Sequence, residues 1–441
     1  MTSDAQRVFV WAFLPGDATP TLCGRLTIAP AAAGHQVATF VYGRTYLANP
    51  AALPLDPFRL PLQERAFEAA GTSGGEPDVF GVIADALPDS WGRYVIDRRY
   101  GSQPFPTGYL LLASDDAVGN LCFSEDPSTP PAIAAPISRD MIDVAWGVIA
   151  GLEAGQPVPT ELLEKVRPNT AMGGARPKLT IGDERAQWIA KFPSAKDDRR
   201  FSQARVEAAM LDLAELCGIT AAEAEVHVAR APDGSPLGDV LLVKRFDRSA
   251  GPNGWLRDAF VSARTVAYSE PGIRATQFMA SYTQFAEQLQ RWSARPAQDR
   301  HELFRRLVFN CCISNTDDHD RNYGLVAHEE GHLYRLSPAY DMVPRVHGTK
   351  IRMQAMNFGS EGSAATVENL LSAASSFGLS TAAADETIRS IQETVAGNWL
   401  ACVLGRGMTE EQAQVIAQCF ETLPERRPEL GRQFSSAPRP R

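Results

Sequence analysis

The sequence predicts an α+β protein in which a small β-rich N-terminal module precedes a two-lobed unit with a cleft between its lobes. Three observations lead there. Short apolar runs separated by Gly, Pro and Asp open the chain, strand patterns recur between Leu179 and Phe246, and helical periodicity dominates from about Thr276 onward.

The elements follow in order. Val8–Leu14, Cys23–Ile28 and Gln36–Tyr42 read as strands with turn-rich connections. Val79, Phe80, Ile83, Leu87, Trp91, Val95 and Ile96 recur at helical spacing, so Asp78 to Arg99 reads as helix, broken near Pro88. Asn120–Ser124 reads as a strand. The Pro- and Ala-rich stretch Pro127–Pro136 is the best candidate linker. Met141–Gly151 reads as helix, and Leu179–Ile181 with Trp188–Phe192 as a hairpin around Gly182-Asp183. Ser202–Cys217 is an amphipathic helix stopped by Gly218, since glycine accepts the left-handed conformation that ends helices. Val226–Ala229 and Asp239–Phe246 are strands around Pro232-Asp233-Gly234. Tyr323–Val326 and Leu333–Leu336 pair around Glu330-Gly331, inside the helical portion. The expected units are 1–126, 137–248 and 249–434, with 435–441 as a disordered tail.

Composition excludes some functions. The chain has 441 residues, room for roughly two to three folding units. Acidic residues outnumber basic ones, 52 to 43, for a net charge of −9. Autonomous nucleic-acid binding needs a basic field, so contact with DNA is expected only through a basic partner. No run of about 18 apolar residues occurs, so no membrane helix is expected. Val8–Leu14 is too short for a signal core. Seven cysteines are dispersed without a C-x-x-C pair, which suggests reduced thiols in a cytoplasm.

Asn315-Thr-Asp-Asp-His-Asp-Arg-Asn322 carries the strongest chemical signal. Phosphotransferases of the protein-kinase kind use an Asp that accepts the substrate hydroxyl proton, and an Asn five residues later that offers a neutral oxygen to Mg²⁺. Asp317 and Asn322 have that spacing. Asp341, in Leu336-Ser-Pro-Ala-Tyr-Asp-Met342, follows a strand and could chelate the same ion. Each piece also has a plain reading. An isolated Asp-x-x-x-x-Asn usually marks a turn, Asp341 could cap a helix beginning at Met342, and His319 could be a packed histidine holding the loop. His328 and His332 could form a metal site, but they bracket Glu329-Glu330-Gly331 at a hairpin tip and read as exposed.

Three further segments matter. Lys191 sits in the otherwise apolar strand Trp188-Ile-Ala-Lys-Phe, where a charge is costly unless paired, and Glu207 lies in the following helix. The alternative is an edge lysine reaching water. Met172-Gly-Gly-Ala-Arg-Pro-Lys178 has two glycines that let backbone amides approach a phosphate, although it fits neither the P-loop nor the Rossmann pattern. Leu242-Val-Lys-Arg-Phe-Asp-Arg248 reads as a hinge that could seat adenine, or as a strand ending in a salt-bridged turn.

The order of these segments resembles the HipA family. The phrases GGARPK, WIAKFP, VKRFDR, FNCCISNTDDHDRNYGL and LSPAYDM look like that family's C-terminal kinase region. LPL at Leu60–Leu62, FGVIADALPDSWGR at Phe80–Arg93 and DDAVGNLCF at Asp115–Phe123 look like its N-terminal part. The resemblance extends to about Gly359. It implies a kinase fold related to phosphatidylinositol kinases. The implied activity is that of a serine/threonine protein kinase using ATP and Mg²⁺, the toxin of a toxin–antitoxin pair whose best-known target class is an aminoacyl-tRNA synthetase. Its implied partner is a small helix-turn-helix repressor of the HipB type, with DNA contacted only through that partner.

On this mapping Asp317 is the catalytic or hydroxyl-orienting residue, and Asn322 and Asp341 hold Mg²⁺. Lys191, supported by Glu207, meets the nucleotide phosphates. Gly173, Gly174, Ala175, Arg176, Lys178 and His319 also face the nucleotide, and Val243, Lys244 and Phe246 lie at the adenine hinge. The family often autophosphorylates a serine where this chain has Ala171, and Thr170 beside it offers a hydroxyl. A different reading is a catalytically silent partner of a repressor, against which the intact Asp317, Asn322 and Asp341 set argues.

Overall fold

A computed structural model describes residues 5–30, 36–70, 79–113, 115–166, 176–268, 280–327, 333–346 and 352–426. The chain opens with a five-stranded antiparallel sheet of β1 (Gln6–Ala12), β2 (Thr21–Pro30), β3 (Gln36–Tyr42), β4 (Ala66–Ala70) and β5 (Leu121–Ser124), in the order β4-β3-β2-β1-β5. Side chains alternate across a strand, so Val8, Val10 and Ala12 face one core with Leu26 and Phe40, while Trp11 packs with Phe13 and Cys122 on the other face.

Among the described residues this module also holds four helices: α1 (Arg44–Leu47), α2 (Gly81–Ala84), α3 (Ser90–Tyr100) and α4 (Pro106–Leu112). The helix expected over 78–99 is therefore two, separated around Pro88. Asp89 starts the second by accepting a hydrogen bond from the Gly92 amide. Residues 127–136 then run without helix or strand.

The next part holds β6 (Ile137–Ser138), α5 (Ile142–Glu153), α6 (Thr160–Val166), β7 (Lys178–Gly182), β8 (Gln187–Lys191), α7 (Gln203–Leu216), β9 (Ala224–Arg230) and β10 (Pro236–Lys244). Its sheet order is β6-β7-β8-β10-β9, antiparallel except for β6 against β7. Leu179, Ile181, Trp188, Ala190 and Leu242 pack against Ile142, Ala145, Ile149 and Leu152 of α5. By alternation Lys178, Thr180, Gln187 and Lys191 fall on the opposite face, which positions the site.

A hairpin of β11 (Arg248–Gly251) and β12 (Gly254–Arg257) follows, then a three-stranded sheet of β13 (Phe260–Ser262), β14 (Gly324–Ala327) and β15 (Tyr334–Leu336). The remaining helices are α8 (Ala263–Ala267), α9 (Tyr282–Trp292), α10 (Pro296–Cys312), α11 (Val367–Ala373), α12 (Thr381–Gly405) and α13 (Glu410–Ile416). Their core, including Phe285, Trp292, Phe304, Phe309 and Ile391, is continuous with that of the N-terminal module through Val261, Val266 and Ile83. Among the described residues no helix is long and apolar enough to cross a membrane.

Candidate active site

A cleft of about 880 Å³ lies where β7, β8 and the start of α7 face the loop after α10 and the segment after β15. Lys191, at the end of β8, enters it with its side chain only 13% exposed. Its Nζ donates to Glu207 Oε1 at 2.6 Å and to Asp341 Oδ1 at 2.8 Å. Glu207 occupies the second turn of α7, whose start is fixed by the Ser202 side chain accepting from the Arg205 amide. Burial draws the Lys191 ammonium downward, but the two carboxylates outweigh it and hold the pKa above the usual lysine value. Burial pushes Asp341 up, yet Lys191, with Lys178 and His319 more distantly, brings it down to about 2. Glu207 stays above its ordinary value, because burial exceeds what Lys191 returns.

The loop from Asn315 to Asn322 is shaped by residues that point away from the cleft. Asp318 is buried and accepts from Asn310 Nδ2 at 2.7 Å, from the Tyr323 hydroxyl at 2.6 Å and from the Tyr282 hydroxyl. Asp320, also buried, accepts from the Ala280 amide at 3.0 Å and from Arg264 at 3.2 Å. With these two anchored inward, Asp317, His319 and Asn322 line the cleft. Asp317 is half-exposed and ion-paired with Arg345. Asn322 turns its Nδ2 toward the Asp317 carbonyl at 3.4 Å, and His319 Nδ1 is buried without a hydrogen-bond partner.

Asp341 caps no helix, since residues 341–346 form none. It has φ +58°, a left-handed conformation costly for a residue with a Cβ and typical of functional constraint. Asn315 Nδ2 reaches its carbonyl at 3.4 Å and joins the two loops.

Lys178 and Arg176 also line the cleft. Lys178 is ion-paired with Asp89, and Arg176 with Asp197 at 2.9 Å. The expected hinge residues make contacts of their own. Val243 packs with Leu241 and Ala208, Lys244 meets Glu223 at 2.6 Å, and Phe246 lies against Phe260 and Tyr340. None of the three lines the cleft. Gly173, Gly174, Ala175, Thr170, Ala171, His328, His332 and the tail lie outside the described residues.

Sequence reasoning missed Asp318, Asp320, Tyr282, Asp89 and Arg345. The spacing of Asp318 and Asp320 around His319 is a detectable signal, because three acidic residues in one short loop cannot all face the same pocket. As a place for Mg²⁺, the cleft offers a carboxylate from Asp341 and an amide oxygen from Asn322. Two hard oxygen donors suit an ion that keeps several waters. Among the described residues no group of three or more His, Cys, Asp or Glu side chains is placed to hold a metal ion.

The HipA-like C-terminal domain family matches residues 170–399, more than half of the chain. The chain belongs to that family. Two Sinorhizobium fredii relatives of this HipA-like protein are named "Putative kinase Y4mE" and "Putative kinase Y4dM". The first is 28% identical over 36% of this chain and 34% of its own length, the second 27% identical over 60% and 63%. The chain thus spans about a third and just under two thirds of these two relatives. In fold it is similar to a chain of the Shewanella oneidensis toxin–antitoxin complex of HipA, HipB and operator DNA. That match has a TM-score of 0.66 and 18% identity, and covers 93% of this chain and 95% of the other.

Proposed function

We propose that this HipA-like protein is an ATP- and Mg²⁺-dependent kinase that phosphorylates a serine or threonine hydroxyl of a cellular protein. We further propose that it is the growth-arresting half of a pair with a small helix-turn-helix repressor. The observation that carries the enzymatic reading is Lys191, gripped between buried Glu207 and half-buried Asp341 in a polar cleft. A lysine paired with a helical glutamate is the arrangement that presents an ammonium to nucleotide phosphates, with the loop carboxylate beside it left to a metal ion.

In this reading Lys191 and Lys178 bind phosphate oxygens of ATP. Asn322 and Asp341 would hold Mg²⁺, which when bound neutralises phosphate charge. Asp317 orients the acceptor hydroxyl and takes its proton on a carboxylate oxygen as the new P–O bond forms. The bond to the leaving ADP breaks in the same displacement. Arg345 steadies Asp317 before substrate arrives, and the inward anchors at Asp318 and Asp320 keep the loop in register.

Assembly with a repressor rests on the fold likeness and on charge. The relative's complex contains HipB and operator DNA, and a chain with net charge −9 leaves phosphate contact to a basic partner.

The test is phosphoryl transfer from labelled ATP, with and without Mg²⁺, comparing wild type with Asp317→Asn. Labelling of a protein in extract that needs Mg²⁺ and vanishes in the variant supports the kinase. ATP binding without transfer by wild type overturns it in favour of a catalytically silent partner of a repressor.

A further inference from the structure

Among the described residues five lysine or arginine side chains line the cleft, and four of them come from one wall. Lys178 and Lys191 stand on β7 and β8, Lys196 follows β8, and Arg176 precedes β7 and pairs with Asp197. The opposite wall is the loop from Asn315 to Asn322 with the segment after β15. That loop's own arginine, Arg321, does not line the cleft, so among the described residues Arg345 is the single lysine or arginine on that wall.

The main chain of Arg345 is pinned. Its amide donates to the Ser314 carbonyl at 3.0 Å, and its carbonyl accepts from Cys419 Sγ at 3.5 Å. Ser314 is held in turn, with its Oγ donating to the Cys419 carbonyl at 2.7 Å and its φ at +59°. From this fixed base the guanidinium pairs with Asp317 through Nη2, and both side chains are about half exposed where they line the cleft.

On the kinase reading, the acceptor hydroxyl meets the γ-phosphoryl group beside Asp317. A carboxylate there repels the anionic phosphoryl oxygens, the more so as water leaves the cleft. Lys178 and Lys191 approach the phosphates from the other wall and do not stand between these charges. A guanidinium carries five N–H donors in a planar fork, so one that holds Asp317 through Nη2 has the geometry to hold a phosphoryl oxygen as well.

We infer that Arg345 is a further catalytic residue, which clasps Asp317 and an oxygen of the transferring phosphoryl group together. The inference rests on the kinase reading. The acceptor oxygen forms the new bond to phosphorus, and its proton passes to Asp317. The bond from phosphorus to the β–γ bridging oxygen breaks, and its electron pair stays with ADP. Arg345 keeps its protons throughout. As Asp317 takes the proton its charge falls, so the guanidinium turns its attraction to the phosphoryl oxygens. The contact is therefore stronger in the transition state than before it, which is what accelerates a reaction.

The experiment uses the full chain, labelled ATP with Mg²⁺ and the proteins of a cell extract as acceptors. At saturating ATP, Arg345→Ala lowers the transfer rate by about a hundredfold or more, while the ATP Kd in calorimetric titration stays within about threefold of wild type. Aluminium fluoride with ADP and Mg²⁺, a mimic of the phosphoryl group in transfer, separates this role from the steadying of Asp317. Fluoride tightens ADP binding by about tenfold or more in wild type and in Asp317→Asn. Adding Arg345→Ala to Asp317→Asn abolishes the tightening, although no carboxylate is left to steady. Arg345→Gln, of similar length and uncharged, takes the place of Arg345→Ala if that variant does not fold. If wild type transfers nothing, the kinase reading fails and takes the inference with it. The inference alone is overturned if wild type transfers and Arg345→Ala keeps within about threefold of its rate. It is equally overturned if fluoride tightens the double variant as it does Asp317→Asn, or fails to tighten wild type or Asp317→Asn.

Discussion

Asp89 and Lys178 form an ion pair whose side chains are 5% and 1% exposed, joining the cap of α3 to the first residue of β7. Asp89 serves both partners at once, one carboxylate oxygen taking the Gly92 amide and the other the lysine. Burial raises the pKa of Asp89 and lowers that of Lys178, so the environment favours neither charge alone.

Breaking such a pair on one side leaves a buried charge without its ionic partner. Asp89→Ala is expected to cost about 3–5 kcal/mol in urea unfolding, and Asp89→Leu combined with Lys178→Met to recover much of it. A loss below about 1 kcal/mol for Asp89→Ala would show that solvent already shares the lysine.

Gly324 begins β14 just after the loop from Asn315 to Asn322. A Cβ there would stand 2.1 Å from Phe260 Cε2, inside a ring held by Phe246 and Val118. Gly324→Ala therefore forces the strand or the ring aside, at a cost of about 1–3 kcal/mol. Transfer activity of the folded fraction should fall as well, because Tyr323 next to it holds Asp318. Unchanged melting would mean that Phe260 rotates freely.

The sequence made much of this site legible, for a physical reason. Lys191 and Glu207 belong to neighbouring elements, and both strand and helix have strong periods, so their meeting follows from local rules. Asp317 and Asn322 share one loop. What stayed hidden depends on long-range pairing. Asp318 meets Tyr282 from 36 positions away, Asp89 meets Lys178 across 89, and β13 is three residues long, too short for any period. The role of Val243–Phe246 is not legible in the sequence, because a strand that packs on α7 and one that seats a ligand have the same apolar pattern.

Asp318 gives a pH signature. Burial raises its pKa from 3.8 to about 6 despite the donors around it. Between these values the folded state binds more protons than the unfolded one, so this group makes stability fall as pH rises from about 4 to about 6. A shift of roughly two units corresponds to on the order of 3 kcal/mol. Asp318→Asn should flatten that part of the stability–pH curve, measured by urea unfolding of both proteins at several pH values. Parallel curves would place the titration elsewhere.

Lys191 separates charge from chemistry. Lys191→Met leaves Glu207, 2% exposed, and Asp341 near each other without the cation between them, so it should cost about 3–5 kcal/mol of stability. Adding Glu207→Gln removes one of the two charges and should restore part of the loss. Lys191→Arg keeps the positive charge and is expected to melt close to wild type. Its planar guanidinium cannot put a compact ammonium between two carboxylates and a phosphate, so transfer should drop by about a hundredfold or more. Melting curves and labelled-ATP transfer on the same preparations check both parts. Wild-type transfer by Lys191→Arg would show that the cation is structural and that the phosphates are held by other residues.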